Sequence, residues 1–133
     1  MTRAFLDSNV ILYYYTSSEI SKAQLAGEAR LRSDAIISTQ VLSECCNVLS
    51  KKLQYSWTQI QKVISEIVEL FSIETISTPT IEKALSLAER YRYSYYDSLI
   101  LASALEARCE VLYSEDFQHN QVIEGVRIVN PFL

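Results

Sequence analysis

Four carboxylates interrupt the apolar pattern of this chain at comparable places. Asp7 ends the strand-like run "RAFLD" and is followed by Ser8 and Asn9 before a second apolar run, "VILYYY". Glu44 lies about a turn and a half into the helical stretch "TQVLSECCNVLSKKL". Asp97 begins the otherwise apolar helix "YDSLILASALEA", and Asp116 follows the strand-like "EVLY" in the polar stretch "SEDFQHNQ". Desolvating one carboxylate is costly unless a partner compensates, and several together repel one another. A hard divalent cation such as Mg2+ relieves both penalties, because it takes oxygen ligands and keeps several waters. That combination suits phosphodiester hydrolysis, in which the cation activates water and stabilises the departing oxygen.

Each residue also has a structural use. Asp7 can end a strand in a turn or cap a helix. Glu44 borders Val41 and Val48 and reads equally as a solvated helix glutamate. Asp97 completes an S-x-x-D capping box in "SYYD", with Ser94 as the cap. Asp116 suits a polar turn. Only convergence in space separates the chemical reading from these, and the surrounding elements must supply it.

The runs "RAFLD", "AIIS", "IETI", "EVLY" and "VRIV" read as strands. Helical spacing covers "ISKAQLAGEARL", "TQVLSECCNVLSKKL" and the stretch from Thr58 to about Phe71. A further helix opens at Thr78 and Pro79, in the favoured cap and first-turn positions, and runs to about Tyr93, before "YDSLILASALEA". The alternation predicts an α/β fold whose mainly parallel sheet of about five strands is covered by helices on both faces. Ligands of such sheets bind beyond the carboxyl ends of the strands. Asp7 and the "SED" after "EVLY" both follow strands at that end. With 133 residues, no repeat and no linker, the sequence reads as one domain spanning 1–133.

Composition narrows the classes. Apolar residues make up 49% of the chain and charged ones 21%, as in soluble globular proteins. There is neither a membrane-spanning run nor a signal-peptide layout, which predicts a cytoplasmic protein without membrane contact. The three cysteines, Cys45, Cys46 and Cys109, lack C-x-x-C spacing and read as free thiols. One histidine, His119, excludes a metal-free mechanism built on a histidine pair, and zinc ligation does not fit. A net charge of −4 argues against phosphate binding. Setting the four carboxylates aside, however, leaves twelve acidic residues against twelve basic ones. Nine tyrosines, among them Tyr13 to Tyr15 with Tyr95 and Tyr96, could stack on unpaired bases or fill the core. Lys51, Lys52, Arg90 and Arg92 could meet phosphates or simply face solvent. Two other classes stay open: a non-catalytic α/β interaction domain, and a Mg2+-dependent phosphate-handling enzyme or receiver module. Against the latter, "DSNV" lacks a paired D-x-D and no Gly-rich phosphate loop is present.

Taken together, "FLDSNVILYY", "ISTQVLSECCNVL", "YDSLILASALE" and "LYSEDFQHNQVIEGVRIVNPF" resemble a PIN domain, and more narrowly a VapC-type toxin of bacterial or archaeal toxin–antitoxin pairs. The resemblance runs in order over nearly the whole chain. The acidic positions of the family match Asp7, Glu44, Asp97 and Asp116. Its small polar residue two before the last aspartate matches Ser114, and its asparagine after the first matches Asn9. What the resemblance implies is a three-layer α/β/α sandwich and a Mg2+- or Mn2+-dependent endoribonuclease acting on RNA, usually a homodimer, held inactive by a cognate antitoxin protein. Asp7, Asp97 and Asp116 would then be metal ligands and Glu44 would help to hold metal or its water. Ser114 and Asn9 would orient the carboxylates. Glu115 competes with Asp116 for the last position, and spacing from Ser114 favours Asp116.

Overall fold

The computed structural model describes residues 2–16, 19–31 and 33–133. Strand β1 (Thr2–Leu6) buries Ala4, Phe5 and Leu6 in succession, because both of its faces are covered. The chain turns at Asp7 into α1 (Ser8–Thr16), whose first bond runs from the Val10 N–H to the Asp7 carbonyl at 3.1 Å. The run "VILYYY" is therefore helical, with Val10 and Ile11 in the core. Helix α2 (Ile20–Leu31) leads to β2 (Ser33–Ser38), α3 (Thr39–Lys51), α4 (Trp57–Leu70) and β3 (Ser72–Glu74). There follow α5 (Thr78–Tyr91), α6 (Tyr95–Glu106), β4 (Val111–Tyr113), β5 (Val122–Ile123) and β6 (Val126–Val129).

The sheet order is β3-β2-β1-β4-β6-β5. Five strands run parallel and β5 pairs antiparallel with β6. The expected five strands are the parallel ones. The sixth, β5, has only two residues and forms through a turn in which Glu124 and Gly125 both take positive φ (48° and 91°), a demand that glycine meets at little cost. From β1 the chain steps outward to β2 and β3, then returns across both to β4 on the other side of β1. Crossovers are right-handed, so the outward steps lay α1 to α4 on one face and the return lays α5 and α6 on the other. The packing agrees: α1 touches α2 and α3, α3 touches α4, and α5 packs along α6. The result is a three-layer α/β/α sandwich.

Local chemistry sets the helix starts nearest the sheet edge. Ser38 caps α3, its hydroxyl accepting from Val41 N–H. Ser94 caps α6 by accepting from Asp97 N–H at 3.2 Å. Helix α6 is apolar all round, and Ser98 through Ala104 are all buried beneath α5 and the sheet. Two sequence expectations shift. The cap of α5 is Ser77, not Thr78, since its N–H donates to Thr80 Oγ1 at 3.2 Å. The same helix stops at Tyr91, because Arg92 takes a left-handed conformation (φ 63°) that no helix can continue. All three cysteines are free. Burial pushes the Cys45 thiol up to about 12, which leaves it inert. Among the described residues no helix is long and apolar enough to cross a membrane.

Arg92 sets the turn that delivers Ser94 and Asp97 to the edge of the sheet, yet it places a Cβ in the left-handed conformation that glycine favours. Arg92→Gly is expected to stabilise the protein by about 0.5–1 kcal/mol in urea unfolding. A loss of stability would show that the Arg92 side chain, not its backbone, holds the turn.

Candidate active site

The topology reverses between β1 and β4, and there the two strand ends meet. Asp7 N–H donates to the Tyr113 carbonyl at 3.0 Å, and Ser114 N–H donates to the Val129 carbonyl at 3.0 Å. Pairing thus continues one residue beyond both strands and fixes Asp7 and Ser114 side by side. Both are buried, Ser114 fully and Asp7 to 3% exposure. The Ser114 hydroxyl donates to Asp7 Oδ2 at 2.7 Å and accepts from Asp116 N–H at 3.1 Å. The other Asp7 oxygen accepts from Ser8 N–H at 2.7 Å.

Two further helices bring the remaining carboxylates. Ser8 Oγ donates to Glu44 Oε1 at 3.1 Å, which ties the start of α1 to α3. Gln40, also on α3, donates to the Tyr96 carbonyl at 3.0 Å and so anchors the first turn of α6, where Asp97 stands. Asn9 Nδ2 donates to Asp116 Oδ2 at 2.9 Å, and reaches Asp7 Oδ2 and Ser114 Oγ at 3.5 Å each. The structure therefore brings Asp7, Glu44, Asp97 and Asp116 to one edge of the sheet, with Asn9 and Ser114 between them. Glu115 turns away: its Oε1 accepts from the Tyr13 hydroxyl at 3.0 Å, while Lys22 donates to that hydroxyl at 3.2 Å. His119 lies outside the cluster, its Nδ1 accepting from Asn130 N–H at 2.9 Å.

The charges feel one another. Burial pushes the Asp7 carboxyl up to about 7, against the bonds from Ser114 and Ser8, and the charges of Glu44 and Asp116 add to the rise. Glu44 is raised by burial and by the charges of Asp97 and Asp116, and lowered by its bonds from Ser8 and Gln40. Asp97 is raised by burial and by Asp116, and lowered by the Ser94 hydroxyl. The capping reading of Asp97 holds in half: Ser94 accepts from its N–H, and among the described residues no bond returns from the Ser94 N–H.

These donors are hard oxygens, and in Asp7, Glu44 and Asp97 burial holds the proton more tightly than usual, a chemistry that fits a divalent cation. Among the described residues, however, no group of three or more His, Cys, Asp or Glu side chains is arranged to hold a metal ion. The Asn9 amide instead links two of the carboxylates, bonding Asp116 and reaching Asp7.

Sequence reasoning did not anticipate the groups that steady this edge. Ser8 and Gln40 act across the fold, with no local signal to mark them. Two tyrosines clamp the loop after β4. Tyr13 holds Glu115 from one side. On the other, the Tyr93 ring meets Phe117 edge-on at 4.8 Å, and its hydroxyl bonds the Gln121 side chain and accepts from Gln118 N–H.

A family model described as PIN domain matches residues 4–124. Among solved structures, a toxin–antitoxin complex from Klebsiella pneumoniae is 24% identical, with 96% of this chain and 97% of that one covered and a TM-score of 0.74. VapC20 of Mycobacterium tuberculosis, a sarcin–ricin loop cleaving toxin, is 16% identical over 85% of this chain and 89% of its own, with a TM-score of 0.66. VapBC2 from Rickettsia felis, bound to a DNA fragment from its promoter, is 18% identical over 96% and 97%, also at 0.66. At these identities the likeness is one of fold. A comparison with curated proteins gives no match.

The raised carboxyl of Asp7 has a consequence for stability. The folded chain keeps this proton up to about pH 7, whereas the unfolded chain loses it near the ordinary 3.8. In that interval the folded state binds more protons, so stability falls as pH rises and the loss is complete above the folded value. In chelating buffer the melting temperature is expected to drop between about pH 5 and about pH 8. Asp7→Asn should remove most of that drop and melt higher than wild type at the alkaline end. A variant that melts lower than wild type across the whole range would contradict the desolvation account.

Proposed function

The chain belongs to the PIN domain family, and from that premise we propose that it is a metal-dependent endoribonuclease, the toxin of a toxin–antitoxin pair. The observation that carries this reading is the meeting of four carboxylates, drawn from four distant parts of the sequence, at the switch point of a parallel sheet. Asp7, Asp97 and Asp116 would hold Mg2+ or Mn2+, and Glu44 would help to hold the cation or its water. When bound, such a cation supplies the charge that activates water and stabilises the departing oxygen of an RNA phosphodiester.

The chain's own groups do the positioning. Ser114 holds Asp7 with its hydroxyl and Asp116 through the backbone, so one small residue sets two of the carboxylates. Asn9 steers Asp116 by its amide, which also reaches Asp7. Glu44, its carboxyl raised above its ordinary range by burial and by two neighbouring charges, is the group placed to hold or pass a proton. Complexes of toxin with antitoxin among the similar folds support a cognate antitoxin as partner, and we extend the proposal to a homodimer. One observation favours a second reading, a non-catalytic interaction domain: no three carboxylates stand ready-made for a metal among the described residues.

Melting separates the two. Mg2+ or Mn2+ at about 100 times its dissociation constant should stabilise a nuclease by about 2.7 kcal/mol and raise its melting temperature by several degrees, while the interaction domain would not respond. Asp7→Asn and Asp97→Asn should each lower Mn2+-dependent cleavage of single-stranded RNA by at least about 100-fold, with circular dichroism unchanged. Retained cleavage in both purified variants would falsify the assignment.

A further inference from the structure

A cleft of about 380 Å³ opens beside Asp116 and runs between α1 and the end of α3. Its head is acidic, with Asp116 and Glu115. Its walls are apolar, formed by Leu12 of α1 and by Val48 and Leu53, and its far end carries Lys52. Three observations single out that lysine. It follows the last residue of α3, and Glu44, Val48 and Lys52 are spaced four residues apart, so they form a ridge beside the cleft. The eight residues from Glu44 to Lys52 span about 12 Å along the helix axis. Among the described residues Lys51, Lys52 and Lys62 make no ion pair, and of these three only Lys52 lines the cleft. Tyr13, which lines the same cleft, is held at its hydroxyl by Glu115 and Lys22 and packs edge-on against Phe132 at 4.8 Å. Three contacts thus fix the Tyr13 ring on that wall.

We infer that this cleft is the subsite for the nucleotide next to the bond that is cut, with its base against Leu12, Val48 and Leu53 and its outer phosphate on Lys52. The inference rests on the ribonuclease reading and deepens it, since it names the substrate as an unpaired strand. The charges run the right way for such a ligand. The carboxylate end takes the phosphate that meets the cation, and the opposite end offers the ammonium that a flanking phosphate needs. A cleft of this volume has room for an unstacked base with its sugar, and unpaired bases are the ones a protein can splay out and pack. The net charge of the whole chain opposes RNA, so a cation placed along the path of the strand matters more than the total.

The test compares wild type, Lys52→Ala and Lys52→Arg with Mn2+ on two substrates, an unstructured octaribonucleotide and bis(p-nitrophenyl) phosphate, which has no flanking phosphate for Lys52 to bind. Lys52→Ala is expected to raise KM for the octamer about tenfold, with little change in kcat, and to flatten the salt dependence of kcat/KM by about 0.7 in log–log slope. Lys52→Arg should restore KM, and neither variant should show the penalty on the short ester. Unchanged KM on the octamer, or an equal loss on both substrates, overturns the subsite and leaves the cleft to some other ligand. If wild type cuts neither substrate with Mn2+, the ribonuclease reading falls and the subsite falls with it. Octamer cleavage with no Lys52 effect removes the subsite alone.

Discussion

The Ser114 hydroxyl, 2.7 Å from a carboxylate that is almost wholly buried, is the interaction on which the edge of this sheet depends. A hydroxyl has one proton to give. Because Ser114 gives it to Asp7, its lone pairs are left to accept from Asp116 N–H and the Asn9 amide. The direction of one O–H bond thus orders three other residues. Ser114 is fully buried and has no room to grow, and a residue without a donor would leave Asp7 with burial uncompensated on one oxygen. The bond forms only because backbone pairing runs one residue past the ends of β1 and β4, setting the two side chains at the same height.

Topology explains why the other carboxylates reach this point. In a parallel sheet every strand ends on the same edge, and the helix that follows starts there. The reversal between β1 and β4 opens the crevice into which those starts face. Two of the four carboxylates gain from the helices themselves. Asp7 immediately precedes α1 and Asp97 lies in the first turn of α6, where the unpaired N–H groups favour negative charge. Glu44 and Asp116 have no helix N-terminus to help them. They are held by side-chain donors instead, Glu44 by Ser8 and Gln40 and Asp116 by Asn9. The latter two carboxylates are the adjustable part of the site, and the former two are fixed by the fold.

Much of this arrangement could be read from the residues. The strand "VRIV" coincides with β6 and the helix "ISKAQLAGEARL" with α2, since each carries an uninterrupted pattern of its own period. The run "VILYYY" had no such pattern. Its β-branched and aromatic residues suit a strand, and it is helical only because the Asp7 carbonyl starts it and one face finds the core. The cap of α5 was misplaced by one residue because Ser77 and Thr78 are equally good caps by type, and the bond to Thr80 decides between them. Strand β5 was invisible, being two residues long and formed by a turn, not by its own side chains. At the site, Asp7 was legible because a carboxylate at the end of a buried strand is conspicuous. Glu44, Asp97 and Asp116 each kept an ordinary structural reading and gained meaning only together, and Asn9 and Ser114 were marked only by the resemblance to a PIN domain. Ser8 and Gln40 were not legible, because a polar residue at the start of a helix is ordinary and only its partner 36 or 56 positions away gives it meaning.

The same geometry sets stability against chemistry. Burial and mutual repulsion raise Asp7, Glu44 and Asp97 together, so the folded chain is strained whenever all are ionised. Hydroxyl and amide donors relieve part of that strain without removing charge. Asn9 is the clearest instance, a neutral group bonded to Asp116 and within reach of Asp7. A neutral donor offers less than a cation would, and so leaves the carboxylates with unmet demand. In the proposed function, that residual demand is the source of metal affinity, and protons compete for it near neutrality because Asp7 itself titrates at about 7. Had the fold placed an arginine where Asn9 stands, the edge would be more stable and its carboxylates already satisfied. The amide keeps the cluster together without quenching it, as a site that accepts a cation under the proposed function would require.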